Sequence, residues 1–205
     1  MTSPATDPDP GLPLAGRPAT ERVDAARNRV RLLDAAARLV RERGAEHVTM
    51  EAVANAAGVG KGTVYRRFGD RAGLMFALLD HAERTFQEDF LSGPPPLGPG
   101  APPRERLAAF GVAAIRHQIR YLDLYLQAEP KPARQYSPHP PYEVRTLHLA
   151  SLLRAAGVPG DLDLIAELLS SYLGTPFLNR LHSHRRVPAE RIEAGWLDLV
   201  DRLVG

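Results

Sequence analysis

Apolar residues recur every three or four positions in several separate stretches of this chain, the spacing typical of amphipathic helices. The first stretch covers 21–43 and two shorter ones lie within 49–68. A fourth helix is predicted to begin at Asp70, whose side chain can cap it, and to extend to about residue 91. The N-terminal part is therefore predicted to be helical throughout.

The C-terminal part has the same spacing in longer stretches, with proline-rich segments between some of them. Helices are predicted over 104–127, 142–156, 161–181 and 188–203, and six prolines mark 92–103 as a linker. A bend is predicted at Gly174-Thr175-Pro176, because a proline removes one helical hydrogen bond. The fold class predicted from this pattern is all-α.

The most informative stretch is 49–74, which has the pattern of a helix-turn-helix. Thr49 can cap a short helix, and Gly58 can end it in the left-handed conformation. In the second helix Val64 and Phe68 lie four residues apart on the inner face, so polar and basic side chains project outward. Such side chains suit phosphates and base edges in a major groove. The predicted DNA-binding residues are Thr49, Lys61, Gly62, Thr63, Tyr65, Arg66, Arg67 and Arg71.

The same stretch resembles the TetR-like transcriptional repressors. The resemblance covers residues 32–74 and rests on 32–40, Gly44, 48–50, Ala54, 57–59, 62–65, Phe68, Arg71 and Leu74. It departs at two positions: Gly60 stands where the family usually has a capping serine, and Gly73 stands where a glutamate is common. The resemblance implies that Arg71 contacts phosphate, and that Gly60 removes one such contact.

Domain boundaries follow from the pattern and the resemblance together. Residues 1–20 contain five of the 19 prolines and are predicted to be a disordered tail. Residues 21–69 are predicted to form a three-helix DNA-binding head. Residues 70–205 are predicted to form a helical body for effector binding and dimerisation, with 70–91 as the linking helix.

Charge and composition support DNA as the partner. Between Arg22 and Arg71 there are eleven Lys and Arg against six Asp and Glu, a local net charge of +5 within a chain of net charge +2. The chain has no cysteine, which excludes disulfides and thiolate sites and suits a reducing cytoplasm. The sequence has neither a membrane span nor a secretory leader pattern. A cytoplasmic protein is expected.

Two motifs superficially suggest a nucleotide-binding loop and a metal site, but they are better explained as a turn between helices and the end of a helix. The run Gly58-Val59-Gly60-Lys61-Gly62-Thr63 fits neither a dinucleotide fingerprint nor a Walker loop, and no strand precedes it. His182 and His184 point to different faces of a helix and lack a carboxylate at ligand spacing. No catalytic motif is present. We therefore expect no enzyme activity, cofactor or metal.

The body is expected to bind a second copy of the chain and a small molecule. The 161–181 stretch has an apolar band too wide for one subunit to cover. Dimerisation is predicted through Ile165, Leu168, Tyr172, Trp196 and Val200. The resemblance implies a pocket in the body, and the residues that could line it are Phe86, Phe110, His117, Tyr121, Tyr125 and Leu169. Such a lining suits a hydrophobic or aromatic compound.

The function expected from the sequence is a ligand-released repressor that binds an inverted-repeat operator in double-stranded DNA as a homodimer. The alternative is a helical protein-interaction or architectural DNA-binding module without small-molecule control. DNA binding that is independent of base sequence would favour the alternative.

Overall fold

The computed structural model of the protein describes residues 19–128 and 140–205, and every regular element within these ranges is helical. The tail predicted over 1–20 lies outside the described residues, apart from residues 19 and 20. Most of the proline-rich segment 129–141 lies outside them as well.

Ten α-helices follow one another within the described ranges. Their bounds are α1 Ala19–Arg43, α2 Met50–Ala57, α3 Lys61–Phe68, α4 Arg71–Ser92, α5 Pro103–Arg120, α6 Leu122–Ala128, α7 Pro140–Ala155, α8 Leu162–Tyr172, α9 Thr175–Asn179 and α10 Ala189–Val204. A 3₁₀ turn, Ala45–His47, joins α1 to α2, and a π-helical turn, Arg180–His184, follows α9.

The first hydrophobic cluster holds α1, α2, α3 and the first half of α4 together. Leu32 and Leu33 of α1, Val53 of α2, Val64 of α3 and Leu74 of α4 are completely buried in it. These are the inner-face positions of the apolar pattern, so burial of that face accounts for how the four helices pack.

A second cluster forms the body and is built from the end of α4 with α5, α7, α8 and α10. Trp196 of α10 is completely buried, and its indole N–H donates to the Leu107 carbonyl at 3.2 Å. The ring lies against Gly111, where an added Cβ would come within 1.8 Å of it. The absence of a side chain at 111 therefore lets α5 and α10 pack closely.

The predicted helix 104–127 is wrong in one respect, because the chain leaves helical geometry at Tyr121. Its dihedral angles are φ −109° and ψ 16°, and they separate α5 from α6. The break directs Tyr121 and Leu124 into the cluster of the head. The body consequently contacts the head through α6 as well as through α4.

The predicted interruption at 174–176 is confirmed. Helix α8 ends at Tyr172, and α9 begins at Thr175 with Pro176 in its first turn. Asp161 caps α8 as expected, since its carboxylate accepts from the Leu164 amide at 3.1 Å.

Candidate DNA interface and body cavity

Helices α2 and α3 form the predicted helix-turn-helix, with the expected signals at its ends. The Thr49 hydroxyl accepts from the Ala52 amide at 3.0 Å and caps α2. Gly58 ends that helix with φ 67°, a conformation that disfavours other residues. Gly60 precedes α3 and provides no side-chain cap.

The outer face of α3 carries the polar residues predicted from the sequence. Lys61, Gly62, Tyr65 and Arg66 are exposed, and Thr63 and Arg67 are half-buried. The ammonium of Lys61 lies 3.4 Å from the Glu51 carboxylate and 5.9 Å from the centre of the Tyr65 ring. An exposed pair of this kind is weak, so Lys61 can exchange Glu51 for a phosphate.

Arg71, predicted to contact phosphate, makes two hydrogen bonds within the head. Its Nη2 donates to the Ala45 carbonyl at 2.8 Å and its Nε to the Val48 carbonyl at 3.1 Å. These bonds fasten the start of α4 to the link between α1 and α2. The phosphate contact stays a prediction, and loss of Arg71 would also loosen the head.

Two arginines of α1 form hydrogen bonds to the end of α2 that were not predicted from the sequence. Arg31 donates to the Ala57 carbonyl at 3.4 Å, and Arg38 donates to the Ala56 carbonyl at 3.3 Å. The last carbonyls of a helix lack partners within it. Arg31 and Arg38 therefore satisfy the end of α2 while keeping their positive charge on the head.

Comparison with known sequences identifies this head. Residues 32–78 match the sequence family described as bacterial regulatory proteins, tetR family. Residues 32–78 belong to the TetR family. An HTH-type transcriptional regulator of Staphylococcus aureus is 38% identical over 69 residues, which are 34% of this chain and 37% of that relative. The chain thus matches only about a third of the length of this curated relative.

Solved structures extend the TetR-family likeness of the fold to the body. A transcriptional regulator from Saccharomonospora viridis, crystallised in complex with choline, aligns with a TM-score of 0.62 and 19% identity, covering 86% of this chain and 96% of that one. A TetR-family regulator from Mesorhizobium loti aligns with a TM-score of 0.57 and 19% identity, covering 88% and 96%. A TetR-family head on a helical body is therefore the fold of the described chain.

A cleft of about 540 Å³ lies beside the TetR-family head, between α1, α4 and α5. Three of the six predicted effector residues line it: Phe86, His117 and Tyr121. The other three, Phe110, Tyr125 and Leu169, do not. Phe110 and Leu169 are buried in the core of the body, where Phe110 packs on Phe86 at 5.8 Å between ring centres. The lining is more polar than predicted, because it includes Arg41, Arg116 and Arg120.

Beneath this cleft lies a buried polar network that sequence reasoning missed. The Arg145 guanidinium of α7 donates to both Glu83 carboxylate oxygens of α4 at 2.7 Å. The Tyr125 hydroxyl donates to Glu83 and lies 2.9 Å from Nε2 of His117. Glu83 and Arg145 occupy apolar-stripe positions of their helices. A charged residue on the apolar stripe of a helix usually has a buried partner of opposite charge, so these two positions could have indicated the ion pair from the sequence.

The environment sets the charges of this network. Burial raises the pKa of the Glu83 carboxyl, but interactions with His117 and Arg145 outweigh it and hold the pKa below its ordinary value. Burial lowers the pKa of His117 and outweighs the interaction with Glu83, which raises it, while the charge of Arg145 adds to the effect of burial. Glu83 is therefore ionised and His117 neutral, so that one ion pair joins α4 to α7.

The predicted dimerisation residues divide into buried and exposed groups. Trp196 and Val200 are completely buried within the single chain, which corrects their expected place at an interface. They lie between α10 and α5, so the chain itself covers them. Leu168 is 64% exposed and Leu164, one turn earlier, is 58% exposed. Ile165 and Tyr172 are half-buried.

Across 19–128 and 140–205, no helix combines the length and apolar content needed to cross a membrane. Within the same ranges, no three His, Asp or Glu side chains gather in a way that could hold a metal ion. His182 contacts the Val187 carbonyl at 3.2 Å, and His184 lies 3.5 Å from Asn179.

Proposed function

We propose that this chain is a DNA-binding transcriptional regulator, and specifically a repressor that binds an inverted-repeat operator as a homodimer and is released by a small molecule. The outer face of α3 carries this proposal. It combines a hydroxyl, a phenol and basic groups on a helix that Val64 anchors to the core. This combination suits a recognition helix in a major groove.

Dimerisation is proposed through the exposed apolar face of α8 and α10. Leu164 and Leu168 of α8 and Leu197 of α10 are large apolar side chains that the single chain leaves exposed. The Tyr172 hydroxyl donates to the Ile192 carbonyl at 2.9 Å, which ties α8 to α10. A second copy of the chain would cover this face, and the two heads of the resulting dimer would read half-sites whose centres lie about 34 to 36 Å apart.

Release by a small molecule is proposed because the body borders a cleft that reaches the head. The regulator from Saccharomonospora viridis, which shares the fold, was crystallised with choline, so a protein of this fold can hold a small organic molecule. An effector must bind the DNA-incompetent state about a hundredfold more tightly to shift the equilibrium by that factor.

The test is selection of DNA sequences by the purified full-length protein from a random duplex library. Two related half-sites in inverted orientation should be enriched, because a dimer has two-fold symmetry. Enrichment without a shared sequence would contradict specific recognition and favour an architectural DNA-binding role.

Variants of the selected complex then separate base contacts from phosphate contacts. Thr63→Ala should lose about 1 to 3 kcal/mol on the selected site and relax one position of each half-site. Arg66→Ala should weaken selected and unrelated DNA alike and reduce the salt slope by about one unit. The matched control is Arg104→Ala, since Arg104 is exposed on the body and pairs with Asp201. Equal losses for Thr63→Ala on all DNA would remove its assigned role.

A further inference from the structure

The cleft beside the head has walls from both parts of the molecule. Helix α1 of the head contributes Ala37 and Arg41, helix α4 contributes Ala82 and Phe86, and helix α5 contributes the third wall. The volume of about 540 Å³ lies in the range of small-molecule sites, about 300 to 1,000 Å³. A molecule bound there would contact the head and the body together.

One end of the cleft is cationic. Arg41 of α1 and Arg120 of α5 line it from two walls. Burial raises the pKa of the Tyr121 phenol, which also lines the cleft, and the charges of Arg120 and Arg41 oppose that effect. Within the described part of the chain, neither arginine has an ion-pair partner and the Tyr121 hydroxyl makes no hydrogen bond. Two guanidinium groups and a phenol hydroxyl are thus available to one anionic group.

Asp34 and Asp89 are the carboxylates that line the cleft, and neither forms an ion pair with Arg41 or Arg120. Arg116 is engaged with Glu193 in two hydrogen bonds of 2.7 and 2.8 Å. The Asp34 carboxylate lies 2.9 Å from Nε2 of His81. Asp89 lies near the opposite end, because α4 and α5 run antiparallel, with Phe86 beside His117 and Phe90 beside Phe110.

Between the two ends the lining is largely apolar. Ala82 and Phe86 of α4, Ala109, Val112 and Ala113 of α5, and Leu97 all line the cleft. Ala109 and Arg120 are eleven residues apart, which corresponds to about 16 Å along a helix. The cleft is therefore long, with an apolar middle and a cationic end at the head.

We propose that this cleft binds an amphipathic organic anion, with a carboxylate or sulfonate held by Arg41, Arg120 and Tyr121 and an apolar body lying along α5. Binding itself does not depend on DNA. Its regulatory consequence rests on the proposed function, since a ligand that joins Arg41 of the head to Arg120 of the body fixes their relative placement.

A matched pair of fluorescent probes tests the proposal. Anilinonaphthalene sulfonate has the required anion and aromatic body, and N-phenylnaphthylamine is the same molecule without the sulfonate. In fluorescence titrations with the full-length protein, the sulfonate should bind about tenfold or more tightly than the neutral probe. Equal affinity for the two probes would overturn the anionic assignment.

Variants locate the binding. Arg41→Ala with Arg120→Ala should remove the preference for the sulfonate while leaving the neutral probe unaffected. Ala113→Trp should weaken both probes by filling the apolar middle, since Ala113 lines the cleft between its two ends and is half-buried. The control is Arg154→Ala, an exposed arginine on α7 outside the cleft. An unchanged preference in the double arginine variant, or unchanged binding of both probes in the tryptophan variant, would overturn the site.

A second readout keeps this proposal separate from the proposed function. The sulfonate probe should weaken binding to the selected DNA in the parent and fail to do so in the double arginine variant. If the DNA selection fails but probe binding still depends on the two arginines, the proposed regulator function is contradicted and the ligand site is supported. If the protein binds specific DNA but probe binding does not depend on the arginines, the ligand site is contradicted and the regulator function is supported.

Discussion

Trp196 fits its place because Gly111 has no side chain. The indole is completely buried, and a Cβ at 111 would come within 1.8 Å of its ring. A buried ring of this size has little room to move, since α5, α8 and α10 surround it. The absence of a single methyl group therefore sets how closely α5 and α10 approach.

We predict that Gly111→Ala lowers the free energy of unfolding by about 1 to 3 kcal/mol, because overpacking forces Trp196 and α10 to shift. The matched control is Gly62→Ala in α3, where a new Cβ meets no atom within 4 Å. Both changes gain helix propensity, so the control should be neutral or stabilising. Urea unfolding measures the two variants, and equal stabilisation would contradict the close contact.

Gly60 can accept the capping serine that the TetR family usually has. Its φ is −67°, its Cβ position is open, and α3 has no side-chain cap. We predict that Gly60→Ser raises the free energy of unfolding by a few tenths of a kcal/mol, by capping α3. The affinity for the selected DNA should also rise through the added hydroxyl. Gly60→Ala lacks that hydroxyl, and an equal gain from it would contradict capping.

Helix α7 is joined to the rest of the body by the Glu83–Arg145 ion pair. Both side chains are buried, and Tyr125 of α6 also contacts the pair. Removing one member leaves a buried charge without its partner. The pair thus makes the position of α7 depend on α4 and α6.

We predict that Arg145→Met lowers the free energy of unfolding by about 3 to 5 kcal/mol, and that adding Glu83→Gln recovers part of the loss. The control is Arg104→Met, which breaks the exposed pair with Asp201 and should cost less than about 1 kcal/mol. Denaturant unfolding of the four proteins decides the matter. A double variant less stable than Arg145→Met would contradict a buried charge as the cause.

His148 makes the packing of α7 sensitive to pH. Burial and the nearby charge of Arg106 lower the pKa of His148 to about 4. The unfolded chain therefore binds a proton near pH 6.5 that the folded chain rejects, so stability falls as the pH drops from about 6.5 to 4. Its Nε2 is also buried without a hydrogen-bond partner among the described residues.

We predict that His148→Leu reduces the loss of stability between pH 7 and pH 5 by about 1 to 2 kcal/mol. Part of the pH dependence should remain, because burial also lowers the pKa of His117. The exposed residue His184 provides the control, and His184→Leu should keep the slope of the parent. Unfolding curves at the two pH values measure this, and an unchanged slope in His148→Leu would contradict a buried neutral imidazole.

The assembled molecule is expected to be a dimer, because α8 leaves a large apolar face uncovered. We predict that Leu168→Glu gives monomers that no longer bind the selected inverted repeat with dimer affinity, because a charge cannot be buried unpaired in the interface. Phe76→Glu, a change at a 72% exposed residue of α4, should leave the dimer intact. Light scattering showing a monomeric parent at micromolar concentration would contradict this assembly.

The helices and the head could be predicted because their signals are local. Thr49, Gly58 and Asp70 act on amides and dihedral angles within a few residues of themselves, so their effect can be read from neighbouring positions. The apolar spacing of α1 to α4 also identifies inner faces without knowledge of their partners. Local chemistry therefore determined the all-α class and the helix-turn-helix.

The tertiary structure decided which faces meet, since this depends on residues far apart in the chain. The sequence shows Trp196 as one apolar residue among several, and its close packing depends on Gly111, 85 positions earlier in the chain. Likewise, the sequence shows Arg71 only as a basic residue at the start of a helix. Its hydrogen bonds to the carbonyls of Ala45 and Val48 depend on the tertiary fold. The cleft is formed by three helices from two parts of the chain. The apolar periodicity of one helix does not indicate how far that helix lies from another, so the cleft could not be predicted from the sequence.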